Sequence, residues 1–315
     1  MTKELALTKG FVALIDCELS RRDRQRSVAT GSIEWVTTVN SDGTTSPGHT
    51  FNPVIGCMKV SAGCTHCYAE ALMDKRYGRA QWGPDTRRVR TSSGNWKKPL
   101  QWNANAKATN KRAKVFCASL SDVFEDHPDW VQPRADLFNL IQQTPYLDWL
   151  LLTKRPENIN RMVADYAGDC AWLAWNGVYP RTNIWIGTSV ENQEQAEKRI
   201  PHLLNVEAPV KFLSCEPLLS PLNLEDLAYE AAGPAWAGYN KLIDWIIVGG
   251  ESGQKARPMQ LAWARSLRDQ CQTAGIAYFL KQLGGIADKR HDLADFPADL
   301  RVREFPCPEG IQVTA

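Results

Sequence analysis

From residue 114 onward the chain repeats one pattern: a short, nearly continuous apolar run ends in small or polar residues, and an amphipathic stretch follows. The runs are KVFCASLSD (114–122), DWLLLTKRP (148–156), NIWIGTSVE (183–191), VKFLSCEP (210–217), DWIIVGGESG (244–253) and AYFLKQLGG (277–285). Their starts lie about 30 residues apart, the length of one strand–helix unit in a parallel α/β fold. Continuous apolar runs suit strands covered on both faces. Between them, Ile159, Met162, Val163 and Tyr166 follow Pro156 at helical spacing, and Trp263, Leu267, Cys271 and Ala274 make a second stripe that stops at Gly275. SIEWVTT (32–38) predicts one more strand.

The pattern predicts one α/β domain over residues 31–285, a partial or closed (β/α) barrel of about six to seven βα units. An open doubly wound sheet is disfavoured because no glycine-rich dinucleotide turn follows any strand. Residues 1–30 form an N-terminal extension, and 286–315 form a polar C-terminal tail. The loop 39–50, the extension and the insertions bearing Trp172, Trp175 and Trp236 are expected to cover the barrel mouth.

Composition narrows the function classes. The 315 residues are 43 % hydrophobic with twelve Trp, as in a packed globular protein. No apolar run reaches the roughly 18 residues of a membrane span. The N-terminus lacks a signal-peptide pattern, so a cytoplasmic location with reduced thiols is expected. A formal net charge of +2 announces no nucleic-acid protein. RRDRQR (21–26) and the stretch from Arg87 to Lys98 suit either phosphate contact or a solvated surface.

Candidate chemistry collects where barrels keep it, at the C-terminal ends of strands. Ser121 and Asp122, Lys154 and Arg155, Thr188 and Glu191, Glu216, Glu251, and Lys281 with Gln282 all fall there. Helix caps and structural ion pairs are the alternative for each, including a Glu251–Lys281 pair bracing the barrel end. "GGESG" (249–253) has the wrong glycine spacing for a phosphate loop and is expected to let backbone approach a ligand.

The densest feature is GCMKVSAGCTHCYAE (56–70), with Cys57, Cys64 and Cys67. Thiolates select zinc, copper(I) or iron–sulfur clusters. A structural zinc site needs a fourth ligand. His66 sits between the last two cysteines, where it turns poorly to the same metal, and Cys117 or Cys215 would have to reach in from strands where core burial is the simpler role. A [4Fe–4S] cluster on three cysteines instead leaves one iron open to a substrate or cofactor. A zinc-stabilised binding protein and an iron–sulfur electron-transfer or sensor protein remain the alternatives.

The arrangement resembles the radical S-adenosylmethionine (SAM) enzymes, whose three-cysteine loop follows the first strand of a βα barrel. Here six residues separate the first two cysteines and His66 precedes the last. The motifs FNPVIGCMKVSAGCTHCYAE, SLSDVFED, LLTKRPENI, IWIGTSVENQ, FLSCEPLL, WIIVGGESG, ARPM and YFLKQLGG together resemble a phage- and prophage-associated three-Cys-motif family of unknown function. The resemblance implies a [4Fe–4S] cluster on Cys57, Cys64 and Cys67, SAM as cofactor, and a reductase or flavodoxin-type electron donor. Ser121 and Asp122 are then expected at the SAM amino group, Lys154 or Arg155 at its carboxylate, and Thr188, Glu191 and Glu216 at the ribose. Glu251 and Lys281 would be catalytic residues on the substrate side; the substrate itself is left open, and a phage association suits a nucleic acid or nucleotide.

Overall fold

The computed structural model describes residues 33–39, 44–167, 183–224, 243–253, 255–285 and 292–306. Seven strands form one parallel sheet: β1 (His49–Thr50), β2 (Ala113–Cys117), β3 (Leu147–Thr153), β4 (Ile184–Ser189), β5 (Val210–Cys215), β6 (Trp245–Gly249) and β7 (Ala277–Gln282). Each pairs with its neighbour in sequence. The described helices are α1 (Ser93–Thr109), α2 (Val131–Gln143), α3 (Ile159–Ala167), α4 (Gln193–Leu204) and α5 (Leu261–Ala274), beside shorter helical turns. A strand order that never doubles back, with helical crossovers of one hand as is the rule for parallel strands, puts the helices on one face and lets the other curl inward. Among the described residues β7 does not pair with β1, so the fold is a half-barrel rather than a closed one.

Alternation along each strand sorts the side chains. Val115, Leu151, Ile186, Leu213 and Val248 face the helices and pack with Leu137, Ile141, Met162, Leu203 and Leu267. Cys117 and Cys215 belong to this same core and are fully buried. Of the two helix stripes expected from the sequence, Ile159, Met162, Val163, Leu267 and Cys271 are buried and Tyr166, Trp263 and Ala274 half-buried, and Gly275 caps α5 with a φ of 69°. The inner face carries Phe116, Leu150, Trp185, Phe212, Trp245 and Phe279. Gly187 leaves the room that the Phe212 ring occupies, since a side chain there would run into the ring.

SIEWVTT does not become a sheet strand. It forms a 3-10 turn, Glu34–Val36, and then a two-residue strand, Thr38–Val39, paired antiparallel with Thr45–Ser46. Trp35 and Val36 are buried on the inner face, with the Trp35 ring 4.6 Å from that of Phe116. The apolar residues that suggested a strand fill the interior instead. The first sheet strand is the less conspicuous His49–Thr50. Thr44 accepts a hydrogen bond from Lys111 Nζ at 3.1 Å, just before β2 begins. The described part of 39–50 therefore lies at the strand starts and does not cover the mouth. Trp172, Trp175, Trp236 and residues 1–30 lie outside the described residues.

The tail also departs from its polar appearance. Phe296, Leu300 and Phe305 are buried, and Leu280 N donates to Val302 O at 3.0 Å, which ties the tail to β7. No described helix is long and apolar enough to cross a membrane.

Candidate functional site

The cysteine loop begins directly after β1, at the end of the sheet where the strands finish. Asn52 fixes its start: its Oδ1 accepts from the backbone N of Ser119 at 2.7 Å and of Leu120 at 2.9 Å. Gly56 has a φ of +112°, a backbone setting open to glycine alone at little cost. The loop ends as Tyr68–Glu70 starts a helical turn that continues as Ala71–Arg76. Tyr68 donates to Ser119 O at 2.7 Å, and Glu70 pairs with Lys59 at 2.6 Å.

A cavity of about 450 Å³ opens at this mouth, and Cys57, Cys64 and Cys67 all line it. The three thiols are half-buried and free of disulfides. Ser121, Asp122, Lys154, Arg155 and Glu216 share the wall, as do Glu251 and Lys281. Thr188 and Glu191 do not line it. Thr188 is buried on the helix-facing side of β4, and its hydroxyl donates to Thr153 O at 2.9 Å.

Four carboxylate–arginine pairs hold the loop. Glu125 accepts from Met58 N at 2.9 Å while Arg88 grips it through Nε at 2.8 Å and Nη2 at 2.9 Å. Glu191 accepts from Gly63 N at 3.0 Å and pairs with Arg199 at 2.8 Å. A side chain at Gly63 would collide with that carboxylate. Glu251 meets His66 Nδ1 at 3.1 Å and is held by Arg257, which also donates to Ala62 O at 3.0 Å. Arg155 joins Asp122 at 2.8 Å to Met58 O at 2.8 Å. The loop is thus anchored at Met58, Ala62, Gly63 and His66, all between Cys57 and Cys67.

Several of the expected ligand residues also bond within the protein. Asp122 also accepts from Thr153 Oγ1 at 2.7 Å and from Lys154 N at 3.0 Å, so it positions Arg155 and the end of β3. Burial pushes the Asp122 carboxyl up, but Arg155 and the hydrogen bonds outweigh it and hold the group below its usual range. Glu251 and Lys281 do not form the bracing pair with each other. Lys281 Nζ instead holds both oxygens of Glu216, at 2.7 and 2.8 Å. Lys154 Nζ donates to Ser189 Oγ at 3.1 Å within the cavity wall. The glycine turn also has a packing role: a side chain at Gly250 would strike the Leu283 carbonyl and Gly284. Its glycines let the turns after β6 and β7 touch.

Burial, reinforced by Asp122, pushes the Cys57 thiol up to about 12, while Arg155 pulls the other way from 3.8 Å. Without an added cation Cys57 is a thiol, donating to Met58 O at 3.4 Å. As the side chains stand, no group of three or more His, Cys, Asp or Glu among the described residues converges to hold a metal ion. The donor set itself fits a soft metal or cluster, because three thiols face one cavity and a guanidinium stands beside one of them.

Burial raises the Glu251 carboxyl, but its Arg257 hydrogen bonds and His66 outweigh burial and bring it from 4.5 to about 2. A depressed carboxylate stabilises the fold above its unfolded pKa, and that contribution is lost as pH falls through the folded one. The Glu251 clamp should therefore be intact above pH 4.5 and fail towards pH 2. Denaturation midpoints measured across this window should fall less steeply for Glu251→Gln than for the parent. Equal slopes would refute the clamp.

Sequence spacing singled out neither Arg88, Arg199 and Arg257 nor Glu125 and Asn52, though most lie inside or beside the quoted motifs. No curated protein matches the chain. The model of a family described as "Protein of unknown function (DUF5131)" matches residues 33–303, which takes in the half-barrel, the cysteine loop and every clamp, and the chain belongs to that family.

Proposed function

We propose that the chain is an iron–sulfur enzyme of the radical SAM type, with a [4Fe–4S] cluster on Cys57, Cys64 and Cys67 and SAM as its second cofactor. The observation that carries this reading is that all three loop thiols open on one cavity at the strand ends, in a loop held by carboxylate–arginine pairs. Buried charge pairs contribute little net stability but fix geometry, which suits a loop that must present ligands. The resemblance in motif order and the parallel half-barrel point the same way.

A bound, reduced cluster would supply the electron that cleaves SAM, drawn from a reductase or flavodoxin-type donor. The chain's own residues bind and orient. Lys154, beside Ser189 Oγ, faces the cavity where a carboxylate would sit. Glu216 presents an acceptor for an amino group or ribose hydroxyl, fixed in place by Lys281. Arg155 offsets the negative charge of a Cys57 thiolate. Ser121 lines the same wall, its hydroxyl donating to Val54 O at 2.9 Å.

One observation favours a second reading, a zinc site. His66 lines the cavity with its Nδ1 on Glu251, the arrangement that orients a metal-ligating imidazole through its other nitrogen. Anaerobic purification and reconstitution, followed by iron, sulfide and zinc analysis, separates the two. Iron with matching sulfide, and SAM binding by calorimetry, are expected. Zinc without sulfide establishes the second reading, and an iron–sulfur protein that ignores millimolar SAM points to an electron-transfer or sensor role.

A further inference from the structure

Residues 75–112 hold eleven Lys and Arg against one acidic residue, Asp85, in a chain whose formal net charge is only +2. The rest of the molecule is therefore net acidic, and the cations are concentrated on the segment that leaves the cysteine loop and runs through α1. Some serve the fold: Arg88 is buried on Glu125, Arg90 pairs with Asp136 at 2.7 Å, and Arg112 pairs with Asp148 at 2.6 Å. Arg76, Arg79, Arg87, Lys97 and Lys98 are exposed. A stretch that only needs solubility intersperses both signs, and this one holds a single acidic residue.

The belt also carries an outward aromatic ring. Tyr77 is 49 % exposed, with the guanidinium carbons of Arg76 and Arg79 at 5.3 and 5.4 Å from its ring centre. A half-exposed ring with two cations over it gives a base a surface to stack on once a guanidinium turns outward to a phosphate. The segment meets the cavity at Trp82 and Gly83. Gly83 N donates to Cys57 O at 3.2 Å, and Trp82 lines the cavity wall. A duplex would have to release a base to present it to the cavity.

We propose that the exposed cations from Arg76 to Lys98 bind the phosphate backbone of a single-stranded nucleic acid, with Tyr77 stacking on an unpaired base, so that a nucleotide is presented to the cavity. The role of the cavity in this proposal rests on the function proposed above, but strand binding itself requires no metal.

Fluorescence anisotropy tests the proposal with labelled single-stranded DNA and RNA of about 20 nucleotides, the matching duplex, and vesicles of anionic phospholipid. Both single strands, or one of them, should bind, more weakly as salt rises, with a slope of about 0.7 per phosphate contact. Reversing Arg76, Arg79, Lys97 and Lys98 to Glu should flatten that slope and weaken binding at least about tenfold. Tyr77→Ala should weaken single-strand binding about tenfold and leave the duplex unaffected. All of these positions are exposed, and thermal melting checks that the variants fold. Binding unchanged by the reversals, preference for the duplex, binding to vesicles alone, or no binding would each overturn the proposal. Repeating the titration with Cys67→Ala separates the two claims. Retained strand binding leaves the docking surface standing whatever the metal analysis finds, and metal-free parent protein sinks the cluster reading alone.

Discussion

Replacing Glu125 with alanine is expected to cost about 3–5 kcal/mol of stability, a large share of what a domain has. Glu125 is 2 % exposed, and the Arg88 side chain it accepts from is fully buried. The substitution leaves that guanidinium in a dry setting with its carboxylate gone, strips Met58 N of its acceptor, and removes one partner of Arg155. Removing one member of a buried pair costs far more than the pair contributes, because the survivor keeps its desolvation penalty. Adding Arg88→Met to Glu125→Ala should therefore recover part of the loss. Chemical denaturation of the two variants measures both effects. A loss below about 1 kcal/mol for Glu125→Ala would mean the pair is solvated and the loop is not anchored there.

The second large effect concerns metal. Each of Cys57→Ala, Cys64→Ala and Cys67→Ala should abolish metal binding outright, because a three-thiolate site has no spare ligand. Cys215→Ala should not, since Cys215 is fully buried among the helix-facing core residues. The carboxylate clamps anchor the backbone independently of any metal, so the cysteine variants should lose metal before they lose fold.

What the sequence disclosed follows from range. The apolar runs from 114 onward became six of the seven strands because burial on both faces leaves a local signature. The stripes of α3 and α5 were legible because a helix that buries one face repeats its apolar residues at helical spacing. The missing strand, His49–Thr50, is two residues long and partly polar, while the apolar SIEWVTT serves the barrel interior. Phe296, Leu300 and Phe305 carry no periodicity because they belong to irregular chain laid against β7.

The site was legible in its parts and illegible in its wiring. Three cysteines in eleven residues mark a metal candidate at any level of description. That Glu125 seeks Arg88, that Glu191 reaches across 128 positions to Gly63, and that Glu251 meets His66 rather than Lys281 depend on how strand ends converge. Spacing along the chain carries none of that. Thr188 illustrates the converse: a strand-end position suggested a ligand contact, and one residue of alternation turned it to the other face.

Iron and acid-labile sulfide per chain, measured after anaerobic reconstitution of the parent, of the three loop-cysteine variants and of Cys215→Ala, decide whether the three loop thiols hold a cluster. The parent and Cys215→Ala should carry one cluster's complement of iron and sulfide, and Cys57→Ala, Cys64→Ala and Cys67→Ala essentially none. A full complement in any of those three variants would contradict that assignment, as would a parent protein that takes up neither iron nor sulfide.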